Sequence, residues 1–108
     1  MTERINAIVM QTATLSDTDW TAVTNFDSDK WAALEITNHS NANDLRFRFH
    51  PTTGDGRLLS AISDKDHTYT VPIPDPAVQP LPLDANTALY VKAVVANVEY
   101  TVTGLKVI

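Results

Sequence analysis

The chain has 108 residues, 44% of them hydrophobic, and 8 basic against 13 acidic side chains give a net charge of −5. That length and apolar content fit one compact domain with its own core and exclude both a two-domain protein and a disordered tail. The acidic balance argues against phosphate-backbone binding, which needs clustered Lys and Arg, and the absence of cysteine removes disulfides, thiolate zinc sites and cysteine nucleophiles.

Glutamate occurs only at Glu3, Glu35 and Glu99, so Asp carries most of the negative charge, while Thr and Val recur throughout. Asp and Asn favour turns and β-branched side chains suit a pleated surface, so the chain is expected to be all-β. The first strand is predicted from Ile5 to Thr14. Ile5, Ala7 and Val9 alternate with Asn6, Ile8 and Met10, which leaves both faces partly apolar. Residues 1–15 are therefore either the first strand of the domain or an arm that pairs with a neighbouring molecule, with residues 16–108 forming the domain proper. Short strands are predicted next at Thr21 to Val23 and Leu34 to Thr37. Trp20 reads as a core or rim residue. Trp31 has the opposite parity to Leu34 and Ile36, so it either faces outward as a contact residue or returns to the core through a bulge near Lys30.

From Leu45 to His50 apolar and cationic or polar residues alternate strictly, which turns Leu45, Phe47 and Phe49 inward and sets Arg46 and Arg48 together on the solvent face. The run Asn38 to Asp44 supplies turn formers, so this strand is predicted to pair with Leu34 to Thr37 as a hairpin. Strands follow at Leu58 to Ile62 and Thr68 to Ile73. Every proline except Pro51 lies between Pro72 and Pro82, which marks an extended crossover or sheet edge. That segment, with Pro74 and Pro76, either stiffens a connection between sheets or forms a ridge for a partner. Leu89, Val91 and Ala93 share one side of a late strand and Tyr90 the other. Asn97 is predicted to turn the chain into a second hairpin with Val98, Tyr100 and Val102, and the parity change to Leu105 and Val107 suggests a bulge at Gly104. This cadence is that of an antiparallel β-sandwich or jelly roll of about 7–9 short strands.

The Asp pairs at 17/19, 27/29 and 64/66 lack the offsets, glycine and closing glutamate of a calcium loop and read as solvated turns. His39, His50 and His67 do not have zinc spacing. Ser40, Ser60 and Ser63 lack a Gly-x-Ser-x-Gly elbow, and Gly54-Asp55-Gly56 lacks the lysine and following helix of a phosphate loop. No enzyme activity, cofactor or metal is expected. No apolar run approaches the roughly 20 residues of a membrane span, and the opening residues lead into no secretory core, so synthesis in the cytosol is expected.

Three segments carry a family resemblance: Trp20-Thr21-Ala22-Val23 opening a strand, Ala33-Leu34-Glu35-Ile36-Thr37-Asn38 running into an Asn-rich turn, and Ala88-Leu89-Tyr90-Val91-Lys92-Ala93 near the end. Together they resemble small tailed-phage virion accessory proteins, the capsid decoration or cement proteins, with their "x-I-x-N" turn and late "A-L-Y-V" strand. The Pro-rich stretch departs from that pattern. The resemblance implies a structural protein made in the host cytoplasm, bound to the major capsid protein on the outer capsid surface as a homotrimer, without catalytic residues. The contact residues expected from the strand pattern, the N-terminal segment and the Pro-rich ridge are Trp31, Arg46, Arg48, Tyr90, Ile5, Val9, Pro74 and Pro76. The alternative is a carbohydrate- or receptor-binding module of a tail or fibre, with Trp31 and Tyr90 stacking on sugar rings.

Overall fold

The computed structural model describes residues 6–49, 56–84 and 86–108. Ile5 and His50 lie outside these residues. The described chain is all β and contains no helix: β1 (Asn6–Leu15), β2 (Thr21–Ala22), β3 (Lys30–Asn38), β4 (Leu45–Arg48), β5 (Arg57–Leu59), β6 (His67–Thr70), β7 (Leu81–Pro82), β8 (Tyr90–Ala93) and β9 (Val98–Val107). All pairings are antiparallel. The first sheet has the order β1-β9-β3-β6 with β7 also on β3, and the second has the order β2-β8-β4-β5.

The two sheets form a sandwich around one core because alternate residues of each are apolar. Leu34, Ile36, Val98, Tyr100 and Val102 of the first sheet pack with Leu45, Phe47, Leu59, Val91 and Ala93 of the second. Phe47 and Tyr69 meet across the gap with ring centroids 5.1 Å apart. Phe49 packs against the same cluster, completing the inward row read from the alternation. β1 runs beside β9 over its whole length, and Val9, Ala13 and Leu15 reach the core, so Asn6–Leu15 is a strand of this sandwich.

Neither expected hairpin forms. β3 and β4 belong to different sheets, as do β8 and β9. Alternation fixes which residues face inward, but each connecting turn carries the chain from one sheet to the other. After β3 the crossing is held by buried Asn38, whose Nδ2 donates to Asn43 O at 3.1 Å and Leu59 O at 3.0 Å while its Oδ1 accepts the Ser40 amide at 2.9 Å. After β8, Asn97 adopts a φ of 73° and donates its amide to Leu15 O, which delivers the chain to β9. Asn97 thus takes the left-handed conformation its type favours, in a corner that joins two sheets.

Trp31 and Gly104 also depart from the simple reading, and for one reason. The bulge lies on β3 between Trp31 and Ala33, opposite the regular pair Leu105 and Lys106 of β9. The extra residue returns Trp31 to the inner side, where it is 0% exposed, so the outward alternative is overturned and Trp31 is no surface contact of this chain. β9 has no bulge at Gly104. Its pairing with β1 is uninterrupted, and the glycine is there because the Trp31 ring lies on it: a Cβ would sit 2.6 Å from Trp31 Cε3. Phe26 stacks on Trp31, with ring centroids 4.7 Å apart.

The Pro-rich segment does supply a sheet edge, since Leu81 and Pro82 pair with Trp31 and Lys30. It is not extended throughout. Asp75 O accepts the amides of Val78 and Gln79, which folds the segment into a turn and leaves an open groove of about 500 Å³ between Pro72–Pro74, Val78 and Lys30.

Candidate binding face

The outer face of the second sheet gathers three of the sequence-selected contact residues, Arg46, Arg48 and Tyr90. Residues directly opposite in an antiparallel pair share a face. One row is therefore Ala22, Tyr90 and Arg48, and the next is Lys92, Arg46 and Leu58. Arg46 and Arg48 stand together as their spacing predicts. Tyr90, half-buried, is the cross-strand neighbour of Arg48.

Trp20 closes one end of this face. The Arg48 guanidinium carbon lies 4.0 Å from the Trp20 ring centroid and Lys92 Nζ lies 5.8 Å from it. A guanidinium over an indole is attracted by the ring quadrupole, and the contact restricts a long side chain that would otherwise lose entropy on docking. Trp20 and Lys92 were not selected from sequence. The signal was available for Lys92, which shares the parity of Tyr90, whereas Trp20 precedes a two-residue strand and only tertiary structure sets it beside Arg48.

Charge is distributed unequally across this sheet. Its four strands carry Arg46, Arg48, Arg57 and Lys92 and no carboxylate. Arg46 and Lys92 are direct cross-strand partners, and among the described residues no carboxylate lies within ion-pair distance of either. Like charges placed opposite one another destabilise a sheet, so the arrangement costs folding energy that an anionic partner would offset. Arg57 turns the other way and stacks on Tyr69 at 4.4 Å, serving the seam between the sheets.

The remaining selected residues are elsewhere. Val9 is half-buried on the inner side of β1, near the rim formed by Asn25, Ser28 and Asp29. Pro74 is exposed and Pro76 half-buried in the folded Pro-rich segment, and Trp31 is in the core. The structure thus brings Arg46, Arg48 and Tyr90 together and does not join them to Trp31, Val9, Pro74 or Pro76.

A second polar arrangement was invisible to spacing. His39 Nδ1 lies 2.9 Å from Asp66 Oδ2, and His39 Nε2 lies 2.6 Å from Thr101 Oγ1, which in turn is 2.8 Å from Thr12 Oγ1. Carboxylate, imidazole and hydroxyl follow the order of a nucleophile relay. Thr101 is mid-strand between β1 and β3, where the backbone amides are committed to the ladder. The chain of bonds braces β1, β9, β3 and the entry to β6. Elsewhere, the Asn86 amide and Thr87 hydroxyl hold the Asp84 carboxyl below its ordinary value, and burial pushes the Tyr100 phenol up.

No protein-family model and no curated protein sequence matches this chain.

Proposed function

We propose that the chain is a non-catalytic structural protein that docks through the outer face of its second sheet onto an acidic protein surface, as a decoration or cement protein on a tailed-phage capsid. The observation that carries this reading is the Arg46/Lys92 cross-strand pair without a counter-charge among the described residues, set beside the Trp20–Arg48 stack. Arg presents a planar fork that matches carboxylates, and flanking aromatics are the residue types enriched at protein interfaces. A long polyanion is a poorer fit, because the rest of a chain with net charge −5 repels it beyond the immediate contact. The capsid assignment draws on the Trp20–Val23, Ala33–Asn38 and Ala88–Ala93 segments, two of which form part of this same face.

The sugar-stacking reading loses Trp31 to the core and keeps Tyr90 with Trp20, one side of which is occupied by Arg48. Co-sedimentation with expanded capsids and oligosaccharide titration followed by Trp fluorescence separate the two readings, since Trp20 is the more exposed tryptophan. Docking predicts saturable capsid binding that weakens as salt rises, with no fluorescence response to glycans. Saturable glycan quenching without capsid binding overturns it.

A further inference from the structure

We infer that the open edge of β1 pairs antiparallel with β1 of a second copy of this chain, about a two-fold axis beside Met10. The inference is independent of the docking reading and concerns the opposite sheet.

Among the described residues the sheets have four edges, and these are unequal. β2, β5 and β6 have 2, 3 and 4 residues, and β7, beside β6, has 2 and ends in a proline. Short or proline-containing edges offer little to pair with. β1 has ten residues, Asn-Ala-Ile-Val-Met-Gln-Thr-Ala-Thr-Leu, without a charge or a proline, and its register against β9 is unbroken by any bulge. It carries none of the devices by which edge strands discourage pairing. Ile8 is 74% and Met10 63% exposed on its outer side, beside Leu105 of β9.

The ladder determines which backbone groups are open. His39 donates its backbone N–H to Glu99 O, and in an antiparallel sheet consecutive residues point their N–H and C=O groups to opposite neighbours. Odd-numbered residues of β9 thus face β3 and even-numbered ones face β1. Through the β1/β9 register the odd-numbered residues of β1 bond to β9, so Asn6, Ile8, Met10, Thr12 and Thr14 turn their amides and carbonyls to the open edge.

The occupant that fits is a second β1. An extended partner must present an uncharged strand of matching length with alternate amides free, and β1 itself is such a strand. Two chains of charge −5 repel at most approaches, and a neutral seam keeps that repulsion smallest. An axis beside Met10 sets Met10 opposite its copy and Ile8 opposite Thr12 of the other chain, with like faces aligned and all five open residues bonded. This contact is isologous and closes after two copies, in place of the threefold assembly that the family resemblance implies.

Sedimentation equilibrium over a concentration series tests the pairing, with Met10→Lys, Ile8→Lys and, as a control at another exposed apolar position, Val78→Lys. The pairing predicts a dimer whose dissociation constant rises about tenfold or more in the first two variants and stays unchanged in the third. Because the chain has no cysteine, Met10→Cys provides a second reading: opposed positions about 5.5 Å apart at Cα fall within disulfide range, so mild oxidation should link two copies. A monomer throughout the series, an oligomer indifferent to Met10→Lys, or failure of folded Met10→Cys to cross-link overturns the inference.

Discussion

The two outward faces of the sandwich treat polarity in opposite ways. On the first sheet Thr12, Thr101, Thr37 and Thr68 form one row across β1, β9, β3 and β6, and their hydroxyls pair at 2.8 Å from Thr12 to Thr101 and from Thr37 to Thr68. On the second sheet Arg46 stands against Lys92, and among the described residues no carboxylate is beside them. That threonine row pairs its hydroxyls within the sheet and carries no like charges. The second face leaves Arg46 and Lys92 without a counter-charge among the described residues, and on the proposed reading that difference marks the face that docks.

Both faces depend on the core between them, so the largest expected effect comes from removing its centre. Trp31→Ala should destabilise the fold by about 3–5 kcal/mol, because a fully buried ring stacked on Phe26 and seated on Gly104 is lost. Denaturant unfolding measures this. A loss below about 1 kcal/mol would show that Trp31 is not packed as described.

The corner that separates the sheets comes next. Asn38→Ala removes two donors and an acceptor from a buried crossing and strands the carbonyls of Asn43 and Leu59. A loss of about 2–3 kcal/mol is expected in the same unfolding measurement. Asn38→Asp should not restore the stability, since a carboxylate cannot donate to those carbonyls.

Lys92→Glu acts on the contrast between the faces with a smaller effect of opposite sign. It replaces a cross-strand repulsion with an attraction between Arg46 and the introduced carboxylate, so the fold should gain up to about 1 kcal/mol. Docking should weaken in the same variant. A more stable protein that binds less well is the signature of a surface arranged for a partner.

The smallest effect is confined to alkaline solution. Burial holds the Tyr100 phenol neutral above its ordinary value of 10.0. Above that pH the unfolded chain releases a proton that the folded chain retains, so the Tyr100 contribution is complete below pH 10 and falls as the pH rises through the folded value. Thermal unfolding of Tyr100→Phe should show a shallower alkaline decline than the parent protein, and identical slopes would contradict it.

The strands and their inner faces were legible because alternation is a local property. Leu45, Phe47 and Phe49 could be set inward, and Arg46 with Arg48 outward, from the run Leu45 to His50 alone. Strand partners were not legible. The Asn38–Asp44 and Asn97 turns have hairpin chemistry, and what sends them across the sandwich is a hydrogen bond from Asn38 to Leu59, 21 positions away, and one from Asn97 to Leu15. The position of Trp31 was undecidable for a related reason. Parity sets it outside, and the bulge that overrides parity is stabilised by Gly104, which is remote in sequence and whose role is visible only once the ring lies on it. Arg46, Arg48 and Tyr90 lie on the outer side of their sheet, as their parity predicts. Trp20 and the Arg46/Lys92 opposition were missed because both depend on which strand lies beside β4.

The most direct test of the central claim compares two single charge removals that change the net charge equally. Lys92→Gln neutralises the second-sheet face, and Lys30→Gln neutralises an exposed lysine on β3 of the first sheet. Capsid affinity is measured for both variants and the parent across a salt series. The account predicts that Lys92→Gln binds about fivefold to tenfold more weakly with a reduced salt dependence, while Lys30→Gln matches the parent. Equal losses in the two variants, or a loss confined to Lys30→Gln, would contradict it.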